Sequence, residues 1–215
     1  MTQTLFEFAS VTIAQQARCQ DHVAVFEFAQ RVVIVVSDGA GGIGDGERAS
    51  AYVVSEVRNR LLEAAEPATF ERLLSQIDMT MPAGEATAVV LELTSDRIIG
   101  ASVGDSQAWI VNDGTITNLT ASQVRKPLLG SGEARVVGFD HGALTGTLIV
   151  ATDGFCNYVP QAKIGPTIAT AWFPVLATEL SKLVRLPSGQ LWDDVGIVVA
   201  RRRSPGRTRV KRYEL

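Results

Sequence analysis

Five consecutive apolar residues, Val32-Val33-Ile34-Val35-Val36, closed by Ser37-Asp38-Gly39-Ala40-Gly41-Gly42, constrain this chain more than any other stretch. A β-favouring run without polar alternation reads as a buried strand, and an acid followed by glycines ends it abruptly. Asp38 therefore stands at a strand exit. There a carboxylate can turn toward a ligand, and Gly39 lets its own carbonyl approach the same ligand. A lone Asp-Gly pair is also what a solvated turn looks like, so repetition has to separate the two readings. The same grammar returns where Ile98 to Val103 leads into Gly104-Asp105-Ser106 and where Leu148 to Thr152 leads into Asp153-Gly154. It appears once more in reverse, with Asp193-Asp194 preceding Val195 to Ala200. Carboxylates gathered from separate strand ends repel one another unless a cation lies between them.

The length of 215 residues with 46% hydrophobic and 20% charged content suits one globular core. We expect a domain over residues 1–202 and a basic tail over 203–215, where Arg203, Arg207, Arg209, Lys211 and Arg212 crowd together. Neither aromatic interleaving nor a helical face accompanies these charges, so the tail is given no function and no nucleic-acid partner. Aliphatic runs fall well short of the roughly 20 residues of a membrane span, and the opening residues do not resemble a signal peptide. The expected setting is cytoplasmic, without a membrane. Cys19 and Cys156 are too few for a disulfide framework or a cysteine-built zinc site and read as buried reduced thiols.

Leu5 to Ile13, Val23 to Phe28 and the central run predict three strands in an antiparallel opening. Ala49, Val53, Val57, Leu61 and Ala64 recur at helical spacing, predicting a helix that ends near Pro67. A shorter helix is expected over Phe70, Leu73, Leu74 and Ile77. Residues 87–119 read as a meander with a hairpin at Asp113-Gly114, Glu133 to Phe139 as a further strand, and Pro166 to Arg185 as a helix interrupted at Pro174. Val195 to Arg201 closes the chain as a strand. Grouped strands, then helices, then strands again indicate layered α+β rather than alternating βαβ. The glycines after Asp38 have neither dinucleotide-fold spacing nor the lysine of a phosphate-binding P-loop.

In order and spelling, these motifs resemble the metal-dependent serine/threonine protein phosphatases, the PPM or type 2C family. The matching pieces are Asp38-Gly39-Ala40-Gly41-Gly42 with Gly46-Glu47-Arg48-Ala49-Ser50, Thr87-Ala88-Val89-Val90, Gly104-Asp105-Ser106-Gln107-Ala108, Ala151-Thr152-Asp153-Gly154 and Asp193-Asp194-Val195-Gly196. The resemblance implies a four-layer α-β-β-α sandwich of two antiparallel sheets flanked by helices, with a two-metal centre between the sheet edges. It implies that Asp38 bridges both ions, that Gly39 lends its carbonyl, and that Asp153 and Asp193 ligate, with Asp194 as a secondary ligand or neighbour. Asp21 is then the early acid near metal-bound water, and Asp105 the acid that recruits a possible third ion. The family's phosphate-binding arginine falls at Gln16 here, and Arg18 is the nearest substitute.

An all-oxygen donor set suits Mn2+ or Mg2+, whereas zinc draws on His or Cys, and His22 and His141 are too few for it. Ser106 and Cys156 lack a base partner and read as structural, and His22 reads as a surface or supporting residue. The implied function is metal-dependent hydrolysis of phosphoserine or phosphothreonine by a monomer paired with a serine/threonine kinase. The alternatives are a phosphoprotein-binding regulator on the same fold with little or no turnover, and hydrolysis of a small phosphorylated metabolite.

Overall fold

The computed structural model describes residues 5–40, 45–63 and 69–203. Gly41 and Gly42 of the glycine stretch, the helix end between Ala64 and Pro67, and the tail from residue 204 onward lie outside the described residues.

Continuous apolar runs become strands buried on both faces. The strand β3 (Val32–Asp38) turns Val32, Ile34 and Val36 to one side and Val33 and Val35 to the other, and all five are fully buried. Around it lie β2 (Asp21–Glu27), β4 (Ala88–Leu93), β5 (Arg97–Val103) and β8 (Val137–Gly142), in the antiparallel order β2-β3-β4-β5-β8. The second five-stranded sheet has the order β1-β10-β9-β6-β7, from β1 (Phe6–Ile13), β10 (Val195–Arg202), β9 (Thr147–Ala151), β6 (Gln107–Asn112) and β7 (Thr115–Asn118).

Three apolar layers fill the spaces between these elements. Ile34, Val36, Leu91, Ile110, Val150 and Val198 pack between the sheets. On the outer face of the first sheet, Val33, Val35 and Val90 meet Val53 and Val57 of α1 (Gly46–Glu63) and Leu74 and Ile77 of α2 (Phe70–Thr80). On the outer face of the second, Ile149, Ile197 and Val199 meet Phe155 of α3 (Asp153–Cys156), Ile164 of α4 (Gln161–Thr170) and Leu176 and Leu180 of α5 (Leu176–Lys182). Each fully buried Val, Leu or Ile contributes roughly 1.5–3 kcal/mol. The architecture is the expected four-layer α+β sandwich.

Four local expectations are corrected. The opening strands are not one hairpin series: β1 pairs with β10, and only β2 pairs with β3. The stretch 87–119 is not a single meander, because the chain changes sheets between β5 and β6 at Gly104, whose φ of +90° makes the sharp turn. Residues 133–136 are loop, since Asp78 accepts hydrogen bonds from the backbone N–H groups of Gly130, Gly132 and Ala134 at 2.8–3.0 Å, and the strand starts only at Val137. The C-terminal helical region begins at Gln161, carries Pro166 inside α4, and restarts through a short 3-10 turn, Phe173–Val175.

Candidate metal centre

Antiparallel pairing brings five chain segments to one end of the sandwich. Asp38 ends β3 directly opposite Asp21, which begins β2. Asp105 sits in the crossover between β5 and β6, Asp153 follows β9 at the first position of α3, and Asp193 and Asp194 immediately precede β10. One carboxylate oxygen from each of Asp38, Asp105 and Asp153 lies within 4.8 Å of the others. Asp38, Asp193 and Asp194, with Gly39, Ala40, Gln15, Gln16, Arg18 and Gln20, line an adjoining cleft of about 330 Å3.

Each acid has a different setting. Asp21 is 3% exposed and accepts a hydrogen bond from Thr152 Oγ1 at 2.7 Å, which ties the edge of one sheet to the other. The N–H of Asp38 donates to Thr87 Oγ1 at 3.0 Å, and Thr87 in turn meets Ser106 Oγ at 2.7 Å. Asp153 Oδ2 accepts from Asn157 Nδ2 at 3.1 Å. Asp193 is exposed, and its Oδ1 accepts from the N–H of Asp194 at 2.9 Å. Asp194 is buried, and its two oxygens accept from the backbone N–H groups of Gln15 at 2.6 Å and Gln20 at 2.5 Å. It anchors both ends of the loop that carries Gln16 and Arg18.

Glycine is required at two close approaches. A Cβ on Gly39 would fall 2.0 Å from the Gly46 carbonyl oxygen, and one on Gly154 would fall 1.9 Å from that of Asp194. The Asp-Gly pairs thus let helix starts and strand starts crowd against the acids.

The clustered acids raise one another's carboxyls. Burial, then the charges of Asp21 and Asp153, push the Asp38 carboxyl up to about 9. Burial raises Asp21 as well, against the opposing hydrogen bond from Thr152. Asp153 is raised to about 6 by burial, then by Asp105 and Asp193, while Arg125 offsets part of the rise. The all-oxygen set and the shared repulsion fit a hard divalent ion.

Other sequence candidates have partners of their own. Neighbours on a strand face opposite ways, so Asp21 points to Thr152 while His22 Nδ1 meets Ser50 Oγ of α1 at 2.9 Å. Ser106 is fully buried in its contact with Thr87. Cys156 Sγ donates to the Ala151 carbonyl at 3.6 Å, burial keeps its thiol well above the usual range, and burial pushes the Cys19 thiol up to about 12. Arg18 is 84% exposed and pairs with Glu47 at 3.7 Å. Sequence reasoning missed Arg125, which binds Asp105 at 2.7 Å from an irregular stretch without periodicity. It also missed the loop-anchoring geometry of Asp194, which a paired Asp-Asp motif does not reveal.

A double antiparallel sandwich with carboxylates converging from both sheets at one end defines a class with an all-oxygen donor set that could hold a cation. The sequence profile described as Protein phosphatase 2C matches residues 10–128, more than half of the chain, and the chain belongs to that family. Among solved structures it is similar to the serine/threonine phosphatase of S. agalactiae, with a TM-score of 0.79 and 19% identity over 92% of this chain and 100% of that one. It is also similar to the serine/threonine phosphatase Stp1 from Staphylococcus aureus, with a TM-score of 0.75 and 18% identity over 93% and 95% of the two chains. A third is the catalytic domain of the serine/threonine protein phosphatase PstP in complex with two manganese ions, with a TM-score of 0.70 and 18% identity over 91% and 97%. No curated protein matches the chain by sequence.

Proposed function

We propose that the protein is a metal-dependent phosphatase that hydrolyses phosphoserine or phosphothreonine on a protein substrate. The observation that carries this reading is the convergence of Asp38, Asp105 and Asp153 within 4.8 Å, with Asp21 and Asp193 at the same end. Family membership supports it. Asp38, Gly39, Asp153 and Asp193 would hold two Mn2+ or Mg2+ ions, with Asp21 beside them. Bound there, such ions supply Lewis-acid stabilisation of phosphoryl oxygens and a water acidified toward neutral pH.

The chain's own residues do the rest. Asp38 is kept at its place by the Thr87 hydroxyl, and Asp21 by Thr152. The Asp194 anchor presents the Gln15 to Gln20 loop along the cleft, where Arg18 can reach a substrate phosphate by a charge-assisted contact once it leaves Glu47. Among the described residues, no helix is long and apolar enough to cross a membrane. A serine/threonine kinase acting on the same substrate is the implied partner, and a cytoplasmic monomer the implied form.

Gln16 lies in the cleft wall where the family resemblance places an arginine, which favours the second reading of a phosphoprotein binder with little turnover. The test is Mn2+-dependent release of phosphate from a phosphothreonine peptide, run beside a peptide-binding assay. Turnover abolished by chelator supports the enzyme. Tight binding with no release supports the regulator, and rapid release from a small phosphorylated metabolite with none from the peptide overturns both.

A further inference from the structure

Arg125 approaches the carboxylate cluster from a stretch that belongs to no strand. Its Nε lies 2.7 Å from Asp105 Oδ2, with side-chain exposures of 75% and 24% respectively. The stretch is fastened on both sides of the arginine. Gln123 Nε2 donates to the Ser106 carbonyl at 2.8 Å, Leu128 and Leu129 are buried, and Leu129 exchanges two backbone hydrogen bonds with Ala86. Ser106 adjoins Asp105, and Ala86 forms a bridge with Gly39. The loop that carries Arg125 is therefore tied to the backbone beside two of the acids. Among the described residues, Asp105 is the cluster member with an arginine ion-paired to it.

We infer that the Arg125 guanidinium is a built-in cation that takes the place of a third metal ion at Asp105, so that the centre loads two ions. The inference rests on the proposed metal site at Asp38 and Asp153. A guanidinium is charged at every working pH, and its N–H donors match a carboxylate without the strict coordination a hard ion demands. A divalent ion at Asp105 would have to share the carboxylate with the guanidinium, which already engages Oδ2, and sit close to a positive charge. At about 5 Å, even in a water-like dielectric, that repulsion weakens binding by about tenfold. The Asp105 corner is thus neutralised without depending on the concentration of free metal.

Calorimetric titration and equilibrium dialysis with Mn2+ test this on the full chain. Wild type is expected to bind two ions, and Arg125→Ala to gain a third, weak ion in the millimolar range that is lost again in Arg125→Ala/Asp105→Asn. Arg125→Gln, which keeps hydrogen-bonding capacity without charge, should behave as Arg125→Ala does and guards against a local packing artefact. The melting temperature of Arg125→Ala should keep rising through millimolar Mn2+, where that of wild type has levelled. A wild-type count other than two, or a variant that binds no more ions than wild type, overturns the inference. Wild type that binds no Mn2+ overturns the metal reading and this inference together, whereas two ions in both proteins overturn this inference alone.

Discussion

Loading the centre with metal must expel protons, and the structure sets how many. Asp38 is pushed up to about 9, so the Asp21–Asp38 pair keeps a proton at neutral pH in the metal-free protein. A metal-ligating carboxylate must be deprotonated, so binding at pH 7.5 should release about one proton. Near pH 6, Asp38 is fully protonated, Asp21 at about 7 mostly so and Asp153 at about 6 half so, and release should exceed two protons. Each released proton makes the apparent affinity rise about tenfold per pH unit, or about 1.4 kcal/mol. Mn2+ affinity should accordingly gain roughly tenfold between pH 7 and 8, and more than that between pH 6 and 7. Isothermal titration in buffers of different ionisation enthalpy counts the protons directly. Mn2+ affinity that is flat from pH 6 to 8, with heats independent of the buffer, would show that the cluster is not where the ion binds.

Three further outcomes follow from the same geometry. The raised carboxyls bind protons more tightly folded than unfolded, so their stabilising contribution is complete below pH 3.8 and is lost as the pH climbs through about 9. Denaturation of the metal-free protein should therefore show stability falling across that window, less steeply in Asp38→Asn. A wild-type profile rising from pH 5 to 8 would contradict this. Asp194→Asn keeps one acceptor oxygen but loses the charge behind two short hydrogen bonds, and should cost about 2 kcal/mol in urea unfolding and raise KM more than it lowers kcat. Unchanged stability and KM would mean the Gln15 to Gln20 loop holds its place without this acid. Arg18→Ala breaks only an exposed ion pair, so stability should change by less than about 0.5 kcal/mol. Its kcat/KM on a phosphopeptide should nonetheless fall about tenfold or more, and unaltered kinetics would leave Arg18 without a role in catalysis.

The parts legible in the sequence were those written in single stretches. The run Val32 to Val36 disclosed a strand buried on both faces, and the acids after successive apolar runs disclosed one end of the molecule. What stayed hidden depends on partners far away in the chain. No local pattern says that β1 pairs with β10 rather than β2, because both alternatives satisfy the same half-buried alternation. Residues 133–136 carry a strand-like pattern, yet the backbone donors of this loop turn to Asp78 on a distant helix and not to a neighbouring strand. Asp194 was recognisable as an acid of the motif, but its two acceptor contacts reach back across most of the chain. Arg125 carries no periodicity or motif of its own, and only the fold brings it to Asp105.

The acids divide between the two sheets, with Asp21 and Asp38 on one and Asp153 and Asp193 on the other. The gauge of the centre is therefore the thickness of the apolar layer that keeps the sheets apart, set by Ile34, Val36, Val150 and Val198. Mg2+ tolerates little departure from short octahedral contacts, and larger ions tolerate more. In the proposed centre, residues that never see solvent would thus calibrate which ion is preferred. Trimming a methyl group from Val198 would be read as a changed ratio of Mg2+ to Mn2+ affinity, in a protein whose every ligand is intact.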